Sequence, residues 1–406
     1  MAGLYVHIPF CKSRCIYCGF YSTTLLDLRQ KYVDAVCREI RLRGERLEVR
    51  GEVFRGEWRE VRGERNDLRA EEEINTIYLG GGTPSQLTME QLQQIFDTLA
   101  RARITNRYSL TSYLSPLTSQ EVTIEVNPDD VTEAFAKGLA TLPVNRVSMG
   151  VQTFNNERLR FLHRRHTAAQ VGEAIGRLRA AGIGNISIDL MYGFPGETLE
   201  DWKADIDQAL ALNVEHISSY CLMIEEGTPL YQMLEKGRIA ETDEELERQM
   251  YETLIDRLKA AGYEHYELSN FAKKGFHSRH NSSYWDGTPY IGIGAAAHSY
   301  DIESRSWNTA DIRQYIEGME NGRRIYEEER IDDDTRYNDA ITTALRTARG
   351  LDLKALSQRH HDYCLENAQR FLADGLLELT TDHRLKLTHR GLFVSDMVMS
   401  YLIYMP

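Results

Sequence analysis

The sequence predicts an α/β fold: an open (β/α)6 partial TIM barrel followed by a smaller α+β domain of winged-helix type. Two patterns point there. Over the front two-thirds of the chain, short apolar runs alternate with amphipathic segments, as in βα units built around a parallel sheet. From Asp332 to Met405 the pattern changes to three helices and a hairpin, the hairpin lying in LLELTTDHRLKLT, which is the outline of a winged helix. A chain of 406 residues has room for both. A content of 42% hydrophobic and 27% charged residues is that of an ordinary folded protein.

The expected barrel strands, in order, are LYVHIPF from Leu4, TIYLGG from Thr76, VTIEVNP from Val122, RVSMGVQ from Arg146, ISIDLMYG from Ile186 and HISSYCLM from His216. Each ends in a loop rich in Gly, Pro or polar residues, and functional groups in such barrels gather at those C-terminal strand ends. Two segments interrupt the rhythm. Between Arg43 and Glu64 the triplet Arg-Gly-Glu occurs four times, a low-complexity repeat that reads as a surface insertion over about 43–72 and not as a folding unit. The stretch ITNRYSLTSYLSPLTS, about 104–119, reads as a second insertion. The chain is therefore divided into a barrel core at 1–240, a barrel extension at 241–330 opening with a helix from Glu241 to Gly262, and a C-terminal domain at 331–406.

Composition excludes several functions. A formal net charge of -13 repels phosphate backbones, so nucleic acid is not an expected partner. The candidate recognition stretch HHDYCLENAQRFLADG carries about as many acids as bases, which favours packing or partner docking over DNA binding. No apolar run approaches the roughly 18 residues needed to span a bilayer, and MAGLYVHIPF lacks the basic start of a leader, so a cytoplasmic location is expected. Of the six cysteines, Cys37, Cys221 and Cys364 are scattered, which does not make a disulfide framework.

The other three cysteines carry the chemistry. Cys11, Cys15 and Cys18 in HIPFCKSRCIYCGF follow the first strand directly. Three thiolates at these spacings can hold three irons of a cubane iron–sulfur cluster and leave the fourth without a protein ligand. Zinc would want a fourth ligand from a matching Cys or His pair, and none is seen. Further strand ends add YLGGGTPS at Tyr78–Ser85, Glu125 with Asn127 and Pro128, Gln152, Arg164 in HRRH, and Asp189 in IDLMYGFPGET. Glycines let a backbone approach a ligand closely, and polar groups repeated around one rim argue for a binding site. Two motifs stand apart. HNSSYW at His280–Trp285 joins an imidazole, a common haem ligand, to aromatic rings that suit a flat macrocycle. GIGAAAH at Gly292–His298 lacks the glycine spacing of a nucleotide loop and is expected to pack beneath the site. His265 and His277 are further candidates to meet a porphyrin, but are read as exposed structural histidines.

The cysteine triplet resembles the signature of the radical S-adenosylmethionine (SAM) superfamily, in which such cysteines hold a 4Fe-4S cluster and SAM chelates the open iron. The GGGTP, NP, GVQ and DL-YG-P motifs resemble, in the same order, those of the oxygen-independent coproporphyrinogen III dehydrogenase (HemN-like) group. The resemblance implies a radical SAM core in which Cys11, Cys15 and Cys18 ligate the cluster, while Tyr5, Tyr17, Gly81, Gly82, Thr83, Glu125, Gln152, Arg164 and Asp189 line the SAM region. Those dehydrogenases carry a fourth cysteine two residues after the third, where this chain has Phe20. HNSSYW matches the HN-x-x-YW motif of the HemW haem chaperone subgroup, which implies haem as a third cofactor, His280 as its contact and acceptor haemoproteins as partners. The resemblance extends to peripheral membrane association and a homodimer as further expectations. No catalytic residue is assigned. Haem delivery is the expected activity, favoured by HNSSYW and by Phe20 in place of a fourth cysteine; oxidative decarboxylation of coproporphyrinogen III and radical chemistry on another tetrapyrrole are the alternatives.

Overall fold

A computed structural model describes residues 2–57, 74–102 and 120–405. Six parallel strands lie side by side in chain order: β1 (Ala2–Ile8), β2 (Ile74–Gly81), β3 (Glu121–Val126), β4 (Arg146–Gln152), β5 (Asn185–Tyr192) and β6 (His216–Cys221). These are the six expected strands. Beyond β6 the sheet continues through an antiparallel pair, β7 (Glu264–Glu267) and β8 (Asn270–Ala272). On the other side of β1 it continues through β9 (Tyr290–Ile293), β10 (His298–Tyr300), β11 (Ser304–Asn308) and β12 (Tyr326–Arg330), for twelve strands in all. β9 runs parallel to β1, pairing Gly3 with Tyr290 and Val6 with Ile293. GIGAAAH therefore supplies the last two residues of a seventh parallel strand, the turn after it and the first residue of β10, with Gly294 against His7.

The strands alternate along most of their length. Leu4, Val6, Ile8, Ile77, Leu79, Val122, Ile124, Val147, Met149, Val151, Ile186, Ile188, Leu190 and Ile217 are buried in one core cluster with the helix layer, including Val36, Ile95, Ile175 and Trp202. The intervening positions face inward and are mostly polar or small: Tyr5 and His7, Thr76, Tyr78 and Gly80, Thr123 and Glu125, Arg146, Ser148 and Gly150, Ser187 and Asp189, His216 and Ser218. Helices start promptly after the strand-end loops because threonines cap them. Thr88 and Thr198 each form a reciprocal capping box with the residue three positions on.

The first long helix runs from Arg29 to Glu57, so the Arg-Gly-Glu repeat begins within a helix, a continuation the repeat's composition did not suggest. The rest of that repeat, 58–73, and the second insertion, 103–119, lie outside the described residues. From Asp333 onward a separate buried cluster forms around Tyr337, Ile341, Cys364, Phe371 and Leu385. Its three-stranded antiparallel sheet comprises β13 (Leu351–Asp352), β14 (Leu377–Leu379) and β15 (Arg384–Leu387). Helices Asp333–Ala344 and Gln358–Ala373 precede the β14–β15 hairpin, and the short helices His389–Leu392 and Ser395–Leu402 follow it. The sequence places three helices ahead of the hairpin; the structure has two, with a 3-10 turn at Leu353–Ala355 between them. Among the described residues no helix is long and apolar enough to cross a membrane.

Glu39, fully buried in the first helix, ties that helix to the β9 turn and the added strands. Its carboxylate accepts from Gly294 N at 2.9 Å, Asn308 Nδ2 at 2.9 Å and Tyr315 OH at 2.7 Å, with Arg43 and Arg324 at 3.6 and 3.7 Å. Removing it strands several buried donors at once. Glu39→Ala is expected to cost about 3–5 kcal/mol and Tyr315→Phe about 1 kcal/mol, read by denaturant melts; a Glu39→Ala loss below about 0.5 kcal/mol would show that the network carries no stability.

Candidate functional site

The cysteine loop leaves β1 and is held by short backbone ties. Cys11 N donates to Thr23 O at 2.9 Å and Thr23 N to Pro9 O at 2.7 Å, while Leu230 N donates to Ile16 O at 3.0 Å. Ile16 sits in a small apolar cluster with Leu162, Met191, Phe194, Leu222 and Leu230, against which Tyr17 packs. Ile16 thus anchors the middle of the loop, while Cys11, Cys15 and Cys18 remain partly exposed and free of disulfides. Burial raises the Cys11 and Cys18 thiols, and each of the two also feels the charge of Cys15. Cys11 Sγ lies 3.6 Å from Thr83 Oγ1, and Arg164 Nη1 donates to Cys15 Sγ at 3.6 Å. Among the described residues no three His, Cys, Asp or Glu side chains converge to share one metal ion. A cubane does not require that, because each thiolate takes its own iron. Free thiols on one pinned loop, with a cation and a hydroxyl beside them, suit a cluster and leave a mononuclear site without ligands.

The other expected residues surround this loop at the strand ends. Gly81 has φ +111°, a left-handed backbone, and a Cβ there would meet the His7 ring at 2.5 Å, so glycine is required by both conformation and space. Gly82 N donates to Ile8 O at 2.9 Å, fastening the glycine run to the end of β1. Arg164 Nη2 donates to Asn127 Oδ1 and Gly150 O, both at 2.6 Å, and Asn127 Nδ2 donates to Thr83 Oγ1 at 3.3 Å. Arg164, Asn127 and Thr83 therefore form one chain of contacts joining two of the cysteines to three strand ends. Gln152 closes β4 with φ +69°, a strained conformation for a residue with a side chain.

Two acids complete the rim. Glu125 accepts from Tyr78 OH at 2.8 Å and Gly81 N at 3.0 Å, and burial pushes its carboxyl up to about 7. Asp189 accepts from Ser148 Oγ at 3.4 Å, and burial pushes it up to about 6. Both are poised near neutrality, suited to give up a proton when a cation arrives. Tyr5 sits deeper: its OH donates to His7 Nδ1 at 3.0 Å, since His7 Nε2–H must face Tyr21 O at 3.1 Å, and its ring is stacked with Tyr78 and His280. Sequence reasoning missed Tyr78 as the partner of Glu125, and Ser148 and Ser218 as partners of Asp189. Their signal was the inward phase of each strand.

His280 is not at this rim. HNSSYW forms the helix Arg279–Trp285, whose backbone N–H groups at Arg279 and His280 donate to the Glu121 carboxylate at 2.9 and 3.0 Å. The imidazole is 1% exposed, with Nδ1 at 2.8 Å from Thr76 Oγ1 and Nε2 at 2.9 Å from Tyr284 OH. It closes the N-terminal end of the barrel opposite the cysteines, beside Gly3, and both ring nitrogens are in use. As folded here, the imidazole of the residue expected to contact haem is held by two hydroxyls, those of Thr76 and Tyr284. His265 stacks on Phe271, and His277 pairs with Glu264 and stacks on Tyr266, in structural roles.

Comparison with known proteins agrees with this geometry. The model of the radical SAM superfamily matches residues 5–209, and that of the HemN C-terminal domain matches residues 331–394. A Bacillus subtilis protein described as heme chaperone HemW is 31% identical over 404 residues, covering 98% of each chain. Its Lactococcus lactis namesake is 35% identical over 325 residues, 80% of this chain and 76% of the other. The fold is also that of the coproporphyrinogen III oxidase HemN from Escherichia coli, with a TM-score of 0.77 at 21% identity over 99% of this chain and 90% of that one.

The raised Glu125 carboxyl makes a test. Its folded value of about 7 lies above the ordinary 4.5, so the folded state holds the proton more tightly than the unfolded one. Its contribution is therefore full below about 4.5 and is lost as pH rises through about 7. Glu125→Gln is expected to remove up to about 3 kcal/mol of the stability lost between about pH 5 and about pH 8. Melts with the same pH slope as the parent protein would rule out a buried carboxyl.

Proposed function

Because the chain belongs to the radical SAM superfamily, and within it to the HemW family, we propose that it is a haem chaperone holding a 4Fe-4S cluster, SAM and haem, and delivering haem to haemoproteins in the cytoplasm. The observation that carries the cofactor reading is the convergence of three free thiols, the GGGT turn, Arg164 and two near-neutral acids at one end of the barrel.

Cys11, Cys15 and Cys18 are the ligands for a cluster. Arg164 donates to Cys15 Sγ at 3.6 Å and so holds a cation beside the middle ligand. Gly81 and Gly82 would let the backbone pass close to the methionine end of SAM, Thr83 would offer it a hydroxyl, and Tyr17, Gln152 and Asp189 would line the rest of that region. When bound, a reduced cluster supplies one electron for cleaving a sulfonium bond. Glu125 and Asp189 shed protons as the cationic ligand enters, so SAM affinity rises with pH through the range of about 6 to 7 set by these acids.

Haem delivery rests on the family and on HNSSYW. For His280 to take the iron, Nε2 must exchange the Tyr284 hydroxyl for the metal, and the helix Arg279–Trp285 must turn out from the barrel end. Tyr284 and Trp285 would then cover a face of the macrocycle. Transfer requires only that the acceptor bind haem more tightly than this open form does. The dehydrogenase reading finds no thiol at Phe20, which is exposed at the cluster loop.

Anaerobic reconstitution separates these readings. Cys15→Ser is expected to abolish the brown iron–sulfur absorbance, and retained absorbance refutes the cluster ligands. Haem uptake, followed by its Soret band, is expected to fall at least tenfold in affinity in His280→Ala, while coproporphyrinogen III is not consumed. Decarboxylated product above background would assign the dehydrogenase activity instead.

A further inference from the structure

The C-terminal domain takes no part in the proposed cofactor site, yet it is fastened beside the HNSSYW helix. Residues 346–348 dock on β7 through the backbone: Leu268 N donates to Arg346 O at 2.9 Å and Ala348 N to Tyr266 O at 3.0 Å, with Thr347 bridging Glu267. A second anchor lies toward the other end of the twelve-stranded sheet, where Asp339 of the helix Asp333–Ala344 pairs with Arg305 of β11 at 2.8 Å. β7 also holds the start of the HNSSYW helix, because Tyr266 OH accepts from the backbone N–H of its N-cap, Ser278, at 3.3 Å.

Arg346 reaches the other end of that helix. Its guanidinium carbon stands 5.2 Å from the centroid of the ring of Trp285, the last helical residue. Arg346 Nε and Trp285 Nε1 are both buried without a hydrogen-bond partner, so the two side chains meet as a cation over a ring and not through a hydrogen bond. The same charge reaches Glu267, a buried carboxylate that accepts from Asn270 Nδ2 and Ser269 N. A helix of seven residues has little stability of its own. What keeps it closed is its tertiary contacts: Glu121 at its start, Thr76 on the imidazole and Arg346 at its end. Of these three residues, Arg346 alone belongs to the C-terminal domain.

We infer that Arg346 is a positioning residue through which the C-terminal domain holds the HNSSYW helix shut, so that His280 is released to a haem iron when the contact between Arg346 and Trp285 is broken. This rests on the haem reading above, in which the helix turns out for Nε2 to take the iron. Breaking one such contact raises the population of the open form, and with it the apparent haem affinity, by about three- to tenfold. Docking of the whole domain, with no special part for this cation, is the competing account.

The test uses the cluster-reconstituted full chain and its variants. Arg346→Met fills the space without the charge, Arg346→Lys keeps a cation, and Arg305→Gln loosens the domain at its other anchor. Hydrogen exchange of the Arg279–Trp285 amides is measured without haem, and haem affinity is read from the Soret band. In Arg346→Met the amides are expected to exchange about threefold faster or more and haem to bind about three- to tenfold more tightly. Arg346→Lys and Arg305→Gln stay close to the parent protein in both readings. Trp285→Leu, which spares the C-terminal domain, speeds the same amides even where Arg346→Met does not fold. Unchanged exchange in Trp285→Leu or Arg346→Met overturns the hold, as does haem binding that fails to tighten in Arg346→Met. An equal effect of Arg305→Gln overturns it in favour of whole-domain docking, and Arg346→Lys behaving as Arg346→Met overturns it because the cation then does nothing. A parent protein that takes up no haem removes the haem reading while the exchange still decides the hold, whereas haem uptake with exchange unmoved removes the hold alone.

Discussion

Everything at this site depends on the two-residue period of six parallel strands. Successive side chains must leave a strand on opposite faces, so a row of Val, Ile and Leu committed to the helices obliges the intervening row to face inward. In this chain that inward row is Ser, Thr, Tyr, Gly and charged residues. The apolar row supplies the folding energy and the polar row is left for chemistry. A shift of one residue in any strand would exchange the two, placing Glu125 or Asp189 against the helix layer and Ile124 or Ile188 inside.

The polar row destabilises the protein locally, and the structure shows where the compensation lies. Glu125 and Asp189 are held in an environment that disfavours their charge, Gln152 has a left-handed backbone, and Arg146 has unmatched donors. Around them are rigid supports: the Glu39 network locking the first helix to the added strands, and the Ile16 cluster pinning the cysteine loop. Strain concentrated at one rim and stability placed beside it is the usual arrangement of a preorganised site.

Much of this was legible in the chain. Strands such as VTIEV and ISIDL announce themselves by β-branched alternation, and the cysteine triplet and GGGTP stand at strand ends where function collects. What could not be read was position along the barrel axis. HNSSYW has the composition of a ligand site, but whether an imidazole faces solvent or a hydroxyl depends on long-range partners, here Thr76 and Glu121, far away in sequence. β9 was missed because YIGI is short and carries a glycine, and only its pairing with β1 makes it a strand. Arg146 passed unnoticed because one arginine heading an apolar run looks like a strand-end charge facing water. The Arg-Gly-Glu repeat hid a helix, since low complexity says little about propensity when Arg and Glu are both good helix formers.

The Glu121 cap on the helix Arg279–Trp285 has a consequence for any ligand of His280. A group that takes Nε2 of the imidazole must displace the Tyr284 hydroxyl, and if the helix swings out it must also break the Thr76 bond and release two backbone N–H groups from the carboxylate. The measured affinity is then the intrinsic one reduced by the scarcity of the open form. The closed barrel end competes with the ligand for its own histidine at an effective concentration no free competitor could match. Release of any ligand from such a histidine would need no energy source, because the resting conformation favours the closed end.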